Sequence, residues 1–424
     1  MGSKAAAEDV WDTFRLTASR EIEQVHESVS TARESVAPID FRTRYPALDG
    51  IRALAILMVF ANHFGGGAHG GRILSFLNDL RTQGWMGVNL FFALSGFLIT
   101  GILYDTRDDS HFFKRFFARR ALRIFPVFLL VVALLLLLTP IFRYQWRPGH
   151  LWFLAYVGNL PANQDFTLYE VQSGNHPTAK VFLGHFWSLF SEEQFYLLWP
   201  LVVWRVRDRV KLLWVSGGLS ALALLLRGAM VLFCSPGTSE RWIFRTLPFQ
   251  MDSLLLGGML ALLLRGPMAE RWGRWCTEIF ALSGALLLLE FRLSPSNYSP
   301  WLFTVGLTLI AVASTSLVGM MVRAGSGAGR VFGSGPMRVL GRYSYGFYVY
   351  HVLFGWAWIQ FLVLMGQRFH SLAIAGVIAL GTNFVTTFVV SMASFELFER
   401  RFLAYKGRFE YDAEVAADRH AFQT

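Results

Sequence analysis

About ten apolar stretches recur along this chain, and several approach the roughly 20 residues that a helix needs to cross a bilayer. The stretches are 48–64, 86–104, 122–142, 184–204, 211–234, 244–264, 275–292, 301–322, 343–366 and 371–395. Only 16% of the residues are charged, whereas soluble domains carry about 25% charged residues. The pattern predicts an all-α fold, a polytopic membrane bundle of about ten transmembrane helices.

Clusters of arginine and lysine follow every second apolar stretch. They lie at 107–123, 205–211, 265–274, 323–342 and 400–401. Since such clusters favour the cytoplasmic side of a membrane, both termini are expected to be cytoplasmic. The formal charge of +10 is then explained by these loops, and no nucleic-acid partner is expected.

Three segments follow from this topology. We interpret residues 1–43 as a polar, partly helical N-terminal extension, 44–403 as the membrane domain and 404–424 as a cytoplasmic tail. Acidic residues in the extension exclude a conventional signal peptide. The long connection 143–183 is expected to face outside as a lid or acceptor-recognition loop.

The first apolar stretch carries an arginine near its start and a histidine at its end. Arg52 and His63 are eleven residues apart, roughly 16 Å along a helix. Because a hydrocarbon core is about 30 Å thick, an arginine at one membrane face puts His63 near mid-bilayer. An ionisable side chain at that depth is costly and is a candidate for function. The alternative is that the helix simply ends there.

Other polar side chains recur at a similar depth. Glu193, Asp252 and His351 each lie about eight or nine residues from the end of a stretch, roughly 12 to 13 Å into the membrane. A polar layer shared with His63 explains this, because charged groups inside a membrane need partners. We interpret four polar residues as supporting the site, which are Asn62, Ser188, Asp252 and His351.

Each of these residues also has a simpler interpretation. Asp252 and His351 fit plain hydrogen bonding between helices equally well, and Ser188 fits that role better than the role of a nucleophile. Glu192 and Glu193 are adjacent, and adjacent helical residues point about 100° apart, so they do not form an acid/base dyad. One of them is expected to pair with an arginine or a histidine.

Three arginines, Arg119, Arg120 and Arg123, precede the third apolar stretch. They predict an anion site at a helix N-terminus, where guanidinium groups and free backbone N–H groups both favour phosphate. The alternative is that they only anchor the helix at the membrane face. Cys234 and Cys276 have no metal-binding spacing, and no metal site is expected.

Several of these segments together resemble the acyltransferase 3 family, whose integral-membrane enzymes include peptidoglycan and lipopolysaccharide O-acetyltransferases. Arg52 and His63 match its first-helix block in LDGIRALAILMVFANHF, and Arg120 and Arg123 match the arginine pair of its inner-loop block in FFKRFFARRALRIFPVF. GHFWSLFSEEQFYLLWPL is similar to its most specific signature. The similarity extends over about residues 44–403.

The resemblance implies transfer of an acyl group, usually acetyl, from cytoplasmic acyl-CoA to a hydroxyl at the outer face. The expected acceptor is a cell-envelope glycan, a glycolipid or a small molecule, and the expected location is the bacterial inner membrane. Acyl-CoA is then a donor substrate, and no cofactor is bound permanently. The alternative from another class is a transporter or flippase that moves an anionic or lipid-linked substrate.

Site roles follow from the residues and the resemblance together. His63 is expected to be the general base on the acceptor hydroxyl, since histidine titrates near neutrality. Glu193 and Glu192 are expected to orient His63 or to stabilise its charged form. The donor is expected to bind to four arginines, Arg52, Arg119, Arg120 and Arg123.

Overall fold

A computed structural model describes residues 45–64, 78–160, 167–169, 180–293, 299–323 and 327–411. The predicted N-terminal extension, 1–43, and most of the predicted C-terminal tail lie outside these residues. The helices are α1 (Pro46–Phe64), α2 (Gly87–Asp105), α3 (Phe112–Phe142), α4 (Gly149–Leu154), α5 (Trp187–Val206), α6 (Arg209–Phe233), α7 (Pro236–Arg245), α8 (Leu247–Leu263), α9 (Ala269–Leu293), α10 (Leu307–Val322), α11 (Gly327–Phe332), α12 (Gly335–Tyr350), α13 (Gly355–Phe369), α14 (Leu372–Ser394) and α15 (Arg400–Ala404).

Shorter elements link these helices. Three 3₁₀ turns are formed by Gln83–Met86, Gly184–Phe186 and Tyr405–Phe409, and two π-helical turns by Leu302–Gly306 and Phe395–Glu399. In the long connection, β1 (Thr167–Tyr169) and β2 (Lys180–Phe182) pair antiparallel, with Leu168 opposite Val181. The predicted polytopic helical bundle is confirmed, and its connection 143–183 contains a small hairpin.

The number of helices that count as membrane spans depends on how many polar residues a span may contain. Among the described residues, seven helical stretches are long and apolar enough, or eight if α12 and α13 count as one bent span. Helices α5 and α9 have 20 and 25 residues, but they are more polar and are not among those seven. The count of about ten and the position of the termini therefore remain predictions.

Helices α2 and α8 cross at two glycines. A Cβ atom on Gly96 would overlap the Leu254 carbonyl, and a Cβ on Gly257 would overlap the Ala93 carbonyl. Such close backbone approach at small residues is a common way for membrane helices to associate. It brings Asn89 Nδ2 of α2 to 3.1 Å from Gln250 Oε1 of α8, and therefore holds buried polar groups in fixed positions.

Helix α12 packs along α1 in the same direction. At one end, a Cβ on Gly341 would overlap the Asp49 carbonyl. At the other end, the ring centroids of His63 and His351 lie 5.0 Å apart. His351 stands at the 93° bend between α12 and α13, and β2 contacts this bend through the Phe182 N–H, which donates to the Leu353 carbonyl at 3.2 Å. This packing places the His351 ring next to the His63 ring.

Candidate active site

One cavity of about 270 Å³ collects cationic side chains from distant parts of the chain. All four arginines that the sequence predicts as donor ligands line it together, along with a lysine from the 3₁₀ turn that follows α15. These cations are Arg52, Arg119, Arg120, Arg123 and Lys406. Glu192 is the one carboxylate among the described lining residues. We call this space the arginine cavity.

Aromatic rings rather than acids hold the central arginine of this cavity. The Arg120 guanidinium lies 4.9 Å from the centre of the Tyr196 ring. No described carboxylate lies in direct ion-pair contact with Arg120 or Arg123, although Glu193 interacts electrostatically with Arg120 and Glu399 with Arg123. Arg52 pairs directly with Asp49 at 2.6 Å. Guanidinium groups without a direct ion pair can bind an anionic ligand, and their planar shape matches phosphate oxygens in particular.

The predicted use of a helix N-terminus in this site is wrong. Helix α3 begins at Phe112, so Arg119, Arg120 and Arg123 lie in its interior. Backbone N–H groups there are bonded within the helix and are not free to bind a ligand. The anion-binding capacity of this region comes from side chains alone.

Glu192 belongs to the arginine cavity and not to the histidine. Its Oε1 accepts hydrogen bonds from the Ser95 hydroxyl and the Tyr196 hydroxyl, and these two hydroxyls are 2.8 Å apart. In the described residues neither Glu192 nor Glu193 forms an ion pair or a hydrogen bond with an arginine or a histidine. Glu193 interacts electrostatically with Arg120 without direct contact, so the pairing of one glutamate with an arginine or a histidine stays a prediction. Hydroxyl groups bind Glu192.

A second cavity, of about 320 Å³, contains His63. It is polar and aromatic, and its walls come from α1, α2, α5, α7, α8, α12 and the segments that precede α2 and α5. We call it the histidine cavity; the lining residues that matter below are Asn62, His63, Trp85, Asn89, His185, Trp187, Arg241, Gln250 and Tyr348. Of the predicted supporting residues, Asn62 therefore shares a cavity with His63.

The hydrogen bonds of His63 define its tautomer. Its Nδ1 lies 2.9 Å from the Val59 carbonyl, which can only accept, so Nδ1 carries the proton. The Nε2 atom of the neutral ring is then an unprotonated acceptor, and no described residue donates a hydrogen bond to it. A neutral imidazole with a free Nε2 in a cavity is suited to take a proton from a bound hydroxyl.

His351 stands behind His63. The buried His351 Nδ1 lies 2.7 Å from the Tyr348 carbonyl, so its proton is on Nδ1 and its Nε2 has a lone pair. That Nε2 lies 3.4 Å from His63 Nδ1. Both Val59 and His351 therefore face the protonated nitrogen of His63 and keep Nε2 directed away from them.

A third histidine completes this cluster. The ring centroid of His185 lies 5.4 Å from that of His351, and its Nε2 lies 3.2 Å from the Val349 carbonyl. With the proton on Nε2, the buried Nδ1 has a lone pair and no hydrogen-bond partner among the described residues. Within the described chain, these rings do not form a group arranged to hold a metal ion.

The two cavities meet at Val88 and Tyr348, which line both. The Tyr348 hydroxyl donates to the His185 carbonyl at 2.7 Å and also contacts the Ser188 hydroxyl. Ser188 lines the arginine cavity, so its contact with Tyr348 lies at this boundary, and its supporting role stays a prediction. A thin wall with Tyr348 at its centre separates the cationic side from the histidine side.

Asp252 is not joined to His63 by any contact of the described residues. Its Oδ2 accepts from the Arg227 guanidinium at 2.7 Å and from the Thr308 hydroxyl at 3.1 Å, and both charged side chains are almost fully buried. The single polar layer predicted from depth is therefore divided into separate clusters. The sequence does contain a signal for this pair, since Arg227 is the one charged residue in the interior of the apolar stretch 211–234, which begins with Lys211.

Sequence reasoning missed three further contributors. Tyr348 and His185 had no pattern to separate them from ordinary helix-packing residues, and Lys406 looked like part of a solvated tail. Only the packing of α12, α5 and the chain after α15 places them at the cavities.

The protein is thus a polytopic helical bundle with a cationic cavity and a histidine cavity. A family model described as an acyltransferase domain matches residues 45–395, and the chain belongs to this family, acyltransferase 3.

Two named relatives are similar over most of the chain. The peptidoglycan O-acetyltransferase OatA of Listeria monocytogenes is 28% identical over 329 residues, which cover 73% of this chain and 50% of that protein. The O-acetyltransferase OatA of Staphylococcus aureus is 28% identical over 327 residues, which cover 73% and 51%. The chain thus matches about half the length of these relatives. No solved structure gives a significant match.

Proposed function

We propose that this protein transfers an acyl group, most simply acetyl, from acyl-CoA in the arginine cavity to a hydroxyl in the histidine cavity. One observation carries the proposal: Arg52 and His63 of the same helix line two different cavities, which meet at Tyr348. Donor and acceptor can then approach from opposite directions and react at the shared wall.

The arginine cavity supplies the donor site. Acyl-CoA carries several phosphates, and the cavity offers four guanidinium groups against one lining carboxylate, Glu192. Basic segments favour the cytoplasmic side, so the donor enters from the cytoplasm, where acyl-CoA is available. The helical distance of roughly 16 Å from Arg52 to His63 leaves room for an extended pantetheine arm.

His63 is the general base in this proposal. Its Nε2 takes the proton of the acceptor hydroxyl while the oxygen attacks the thioester carbon. The carbon–sulfur bond then breaks, CoA leaves as a thiolate, and the proton on His63 is released to the thiolate or to water. During the charged stage, Nδ1–H keeps its bond to the Val59 carbonyl and faces the lone pair of His351.

The orientation of His63 is thus assigned to Val59 and His351 rather than to Glu192 and Glu193. Glu192, with Ser95 and Tyr196, shapes the wall of the donor cavity. Glu193 has no hydrogen-bond partner in the described chain and lines neither cavity, so we assign it no catalytic step.

A sugar hydroxyl of the cell-envelope glycan is the acceptor that best fits the histidine cavity. Trp85 and Trp187 offer flat apolar surfaces, and Asn62, Glu240 and Arg241 add polar side chains at the same cavity. Aromatic surface combined with a few polar groups is a usual way to bind a compact polar ligand. The name of the Listeria relative, a peptidoglycan O-acetyltransferase, favours the same acceptor class. The bacterial inner membrane is part of this proposal.

The experiment is transfer of radiolabelled acetyl from acetyl-CoA to purified peptidoglycan fragments by the reconstituted protein. We expect His63→Ala and His63→Gln to lower the rate by about 10²- to 10⁴-fold, the usual contribution of a general base. Thermal unfolding and gel filtration check that both variants remain folded. The matched control is His111→Ala, which removes an exposed histidine that lines neither cavity.

Near-normal transfer by both folded His63 variants would rule out the assignment of the base. Movement of a glycan substrate across the membrane without any requirement for acetyl-CoA would instead support a transporter.

A further inference from the structure

The chain continues beyond the family-matched region and closes back onto α3. After α15, the 3₁₀ turn Tyr405–Phe409 and the next two residues run along the first turns of α3. We call residues 404–411 the strap. The Phe409 carbonyl accepts a hydrogen bond from Arg119 Nη1 at 3.2 Å, and the Arg119 guanidinium lies 4.8 Å from the centre of the Tyr411 ring. Tyr411 is only 3% exposed, so the end of the strap is packed against the protein, whereas Lys406 is exposed.

The strap forms part of the wall of the arginine cavity. Lys406 and Tyr411 line this cavity together with the four arginines. The π-helical turn Phe395–Glu399 precedes the strap, and there the Ser394 hydroxyl donates to the buried Glu399 at 3.1 Å. Because a π turn inserts one residue, it rotates the following chain by about 100° relative to a regular helix. The direction in which Lys406 leaves the helix therefore depends on this turn.

The strap lies at the end of the cavity away from Tyr348. It contacts α3 at Arg119, whereas α12 contacts α3 through Tyr345, whose hydroxyl donates to the Ile124 carbonyl at 2.9 Å. Five residues separate these contacts, roughly 7 Å along α3. Tyr348, one turn after Tyr345, marks the wall where the thioester must arrive. A donor that reaches this wall places its opposite end, the phosphorylated nucleotide, beside the strap.

We propose that Lys406 binds the 3′-phosphate of the acyl-CoA donor, and that Arg119 is a positioning residue that holds the strap. The inference rests on the proposed function, because it takes acyl-CoA as the ligand of the arginine cavity. A lysine ammonium is a compact charge that suits a terminal phosphate, while the arginine forks of the cavity suit the pyrophosphate. The donor site is thus completed by a segment outside residues 45–395.

The test is calorimetric binding of acetyl-CoA and of 3′-dephospho-acetyl-CoA to the full chain in detergent. We expect Lys406→Ala to weaken acetyl-CoA binding about tenfold, the usual size of one charge-assisted hydrogen bond, and to leave binding of the dephospho donor unchanged. Lys406→Arg should retain most of the affinity. Arg408→Ala is the matched control, since it removes the same charge from the same strap at a residue that does not line the cavity.

Arg119→Ala should cause the same loss, also only with the 3′-phosphate present, and should add nothing to Lys406→Ala in the double variant. A loss that persists with the dephospho donor would make Arg119 a direct ligand and would overturn its positioning role. Equal affinity of wild type and Lys406→Ala for acetyl-CoA would overturn the inference alone. Failure of wild type to bind acetyl-CoA would overturn the proposed donor, and the inference with it.

Discussion

Two polar clusters inside the bundle differ in whether their ionisable groups line a cavity. In the first, Arg227 donates to the Phe249 carbonyl at 2.5 Å and to Asp252 at 2.7 Å, and neither charged residue lines a cavity that the described residues form. In the second, His63 and His185 each keep a ring nitrogen without a described partner, and both line the histidine cavity. Both clusters are ionisable groups in membrane helices, and only the second can bind a substrate.

The difference teaches that depth in the membrane does not by itself identify a catalytic residue. Asp252 and His351 have the same predicted status in the sequence, since each is an ionisable residue inside an apolar stretch and each is interpreted as supporting the site. Asp252 is paired with a buried arginine. His351 instead contacts His63, which lines a cavity.

The largest expected effect is on stability, from Asp252→Ala. Removal of one partner of a buried pair leaves the Arg227 charge uncompensated and costs about 3 to 5 kcal/mol. We expect a strong decrease in the thermal unfolding temperature in detergent. The control is the double variant Arg227→Met with Asp252→Leu, which should regain most of the loss because it removes both charges. An Asp252→Ala protein with normal stability but no transfer would place Asp252 among the functional residues.

His351→Ala should act on the reaction instead. It removes the acceptor nitrogen 3.4 Å from His63 Nδ1, and we expect kcat to decrease about tenfold, which corresponds to roughly 1.4 kcal/mol. Acetyl-CoA affinity should not change, because His351 does not line the arginine cavity. An unchanged kcat, or a loss of donor affinity, would contradict the positioning of His63 by His351.

His185→Ala tests whether this ring, which lines the histidine cavity, positions the acceptor. If it does, its loss should raise KM for the acceptor about fivefold, which corresponds to about 1 kcal/mol. The measurement is the acceptor dependence of acetyl transfer at saturating acetyl-CoA. A purely structural role would instead lower the unfolding temperature without changing the acceptor KM.

The smallest expected effect comes from Thr308→Val in the closed cluster. Thr308 donates to Asp252 at 3.1 Å, and its removal should cost about 0.5 to 1.5 kcal/mol of stability. Acetyl transfer by the folded protein should be unchanged at permissive temperature. A loss of transfer without a loss of stability would show that the two clusters are coupled.

Much of the architecture could be predicted from local patterns. The apolar stretch 48–64 predicts a membrane helix, and α1 is found at Pro46–Phe64. The predicted grouping of Arg52 with the arginines of α3 also holds, since all of them line one cavity. Hydropathy and charge clusters are local properties of the sequence, so the membrane helices and the arginine clusters can both be identified without knowledge of the fold.

The partners of the ionisable groups could not be predicted in the same way. Glu192 is bound by hydroxyls of Ser95 and Tyr196 rather than by a charge, and the N-terminus of α3 lies seven residues before Arg119. These facts depend on where a helix begins and on which neighbours face it. Gln194, only two residues after Glu192, has different partners, since its Nε2 donates to the side-chain oxygen Oδ1 of Asn159 at 2.9 Å.

The sequence by itself determined that this is a helical membrane protein of the acyltransferase 3 family, with His63 and the arginines as its distinctive polar residues. Periodicity, hydropathy and short signatures are properties of the linear chain, and they can be recognised without knowledge of the packing. Only the tertiary structure decided that the arginines and the histidines line two separate cavities joined at Tyr348, and that Lys406 returns to the first of them. Helix crossings at glycines, the bend after α12 and the π turn before α15 set these positions, and each depends on contacts between residues that are distant in the chain.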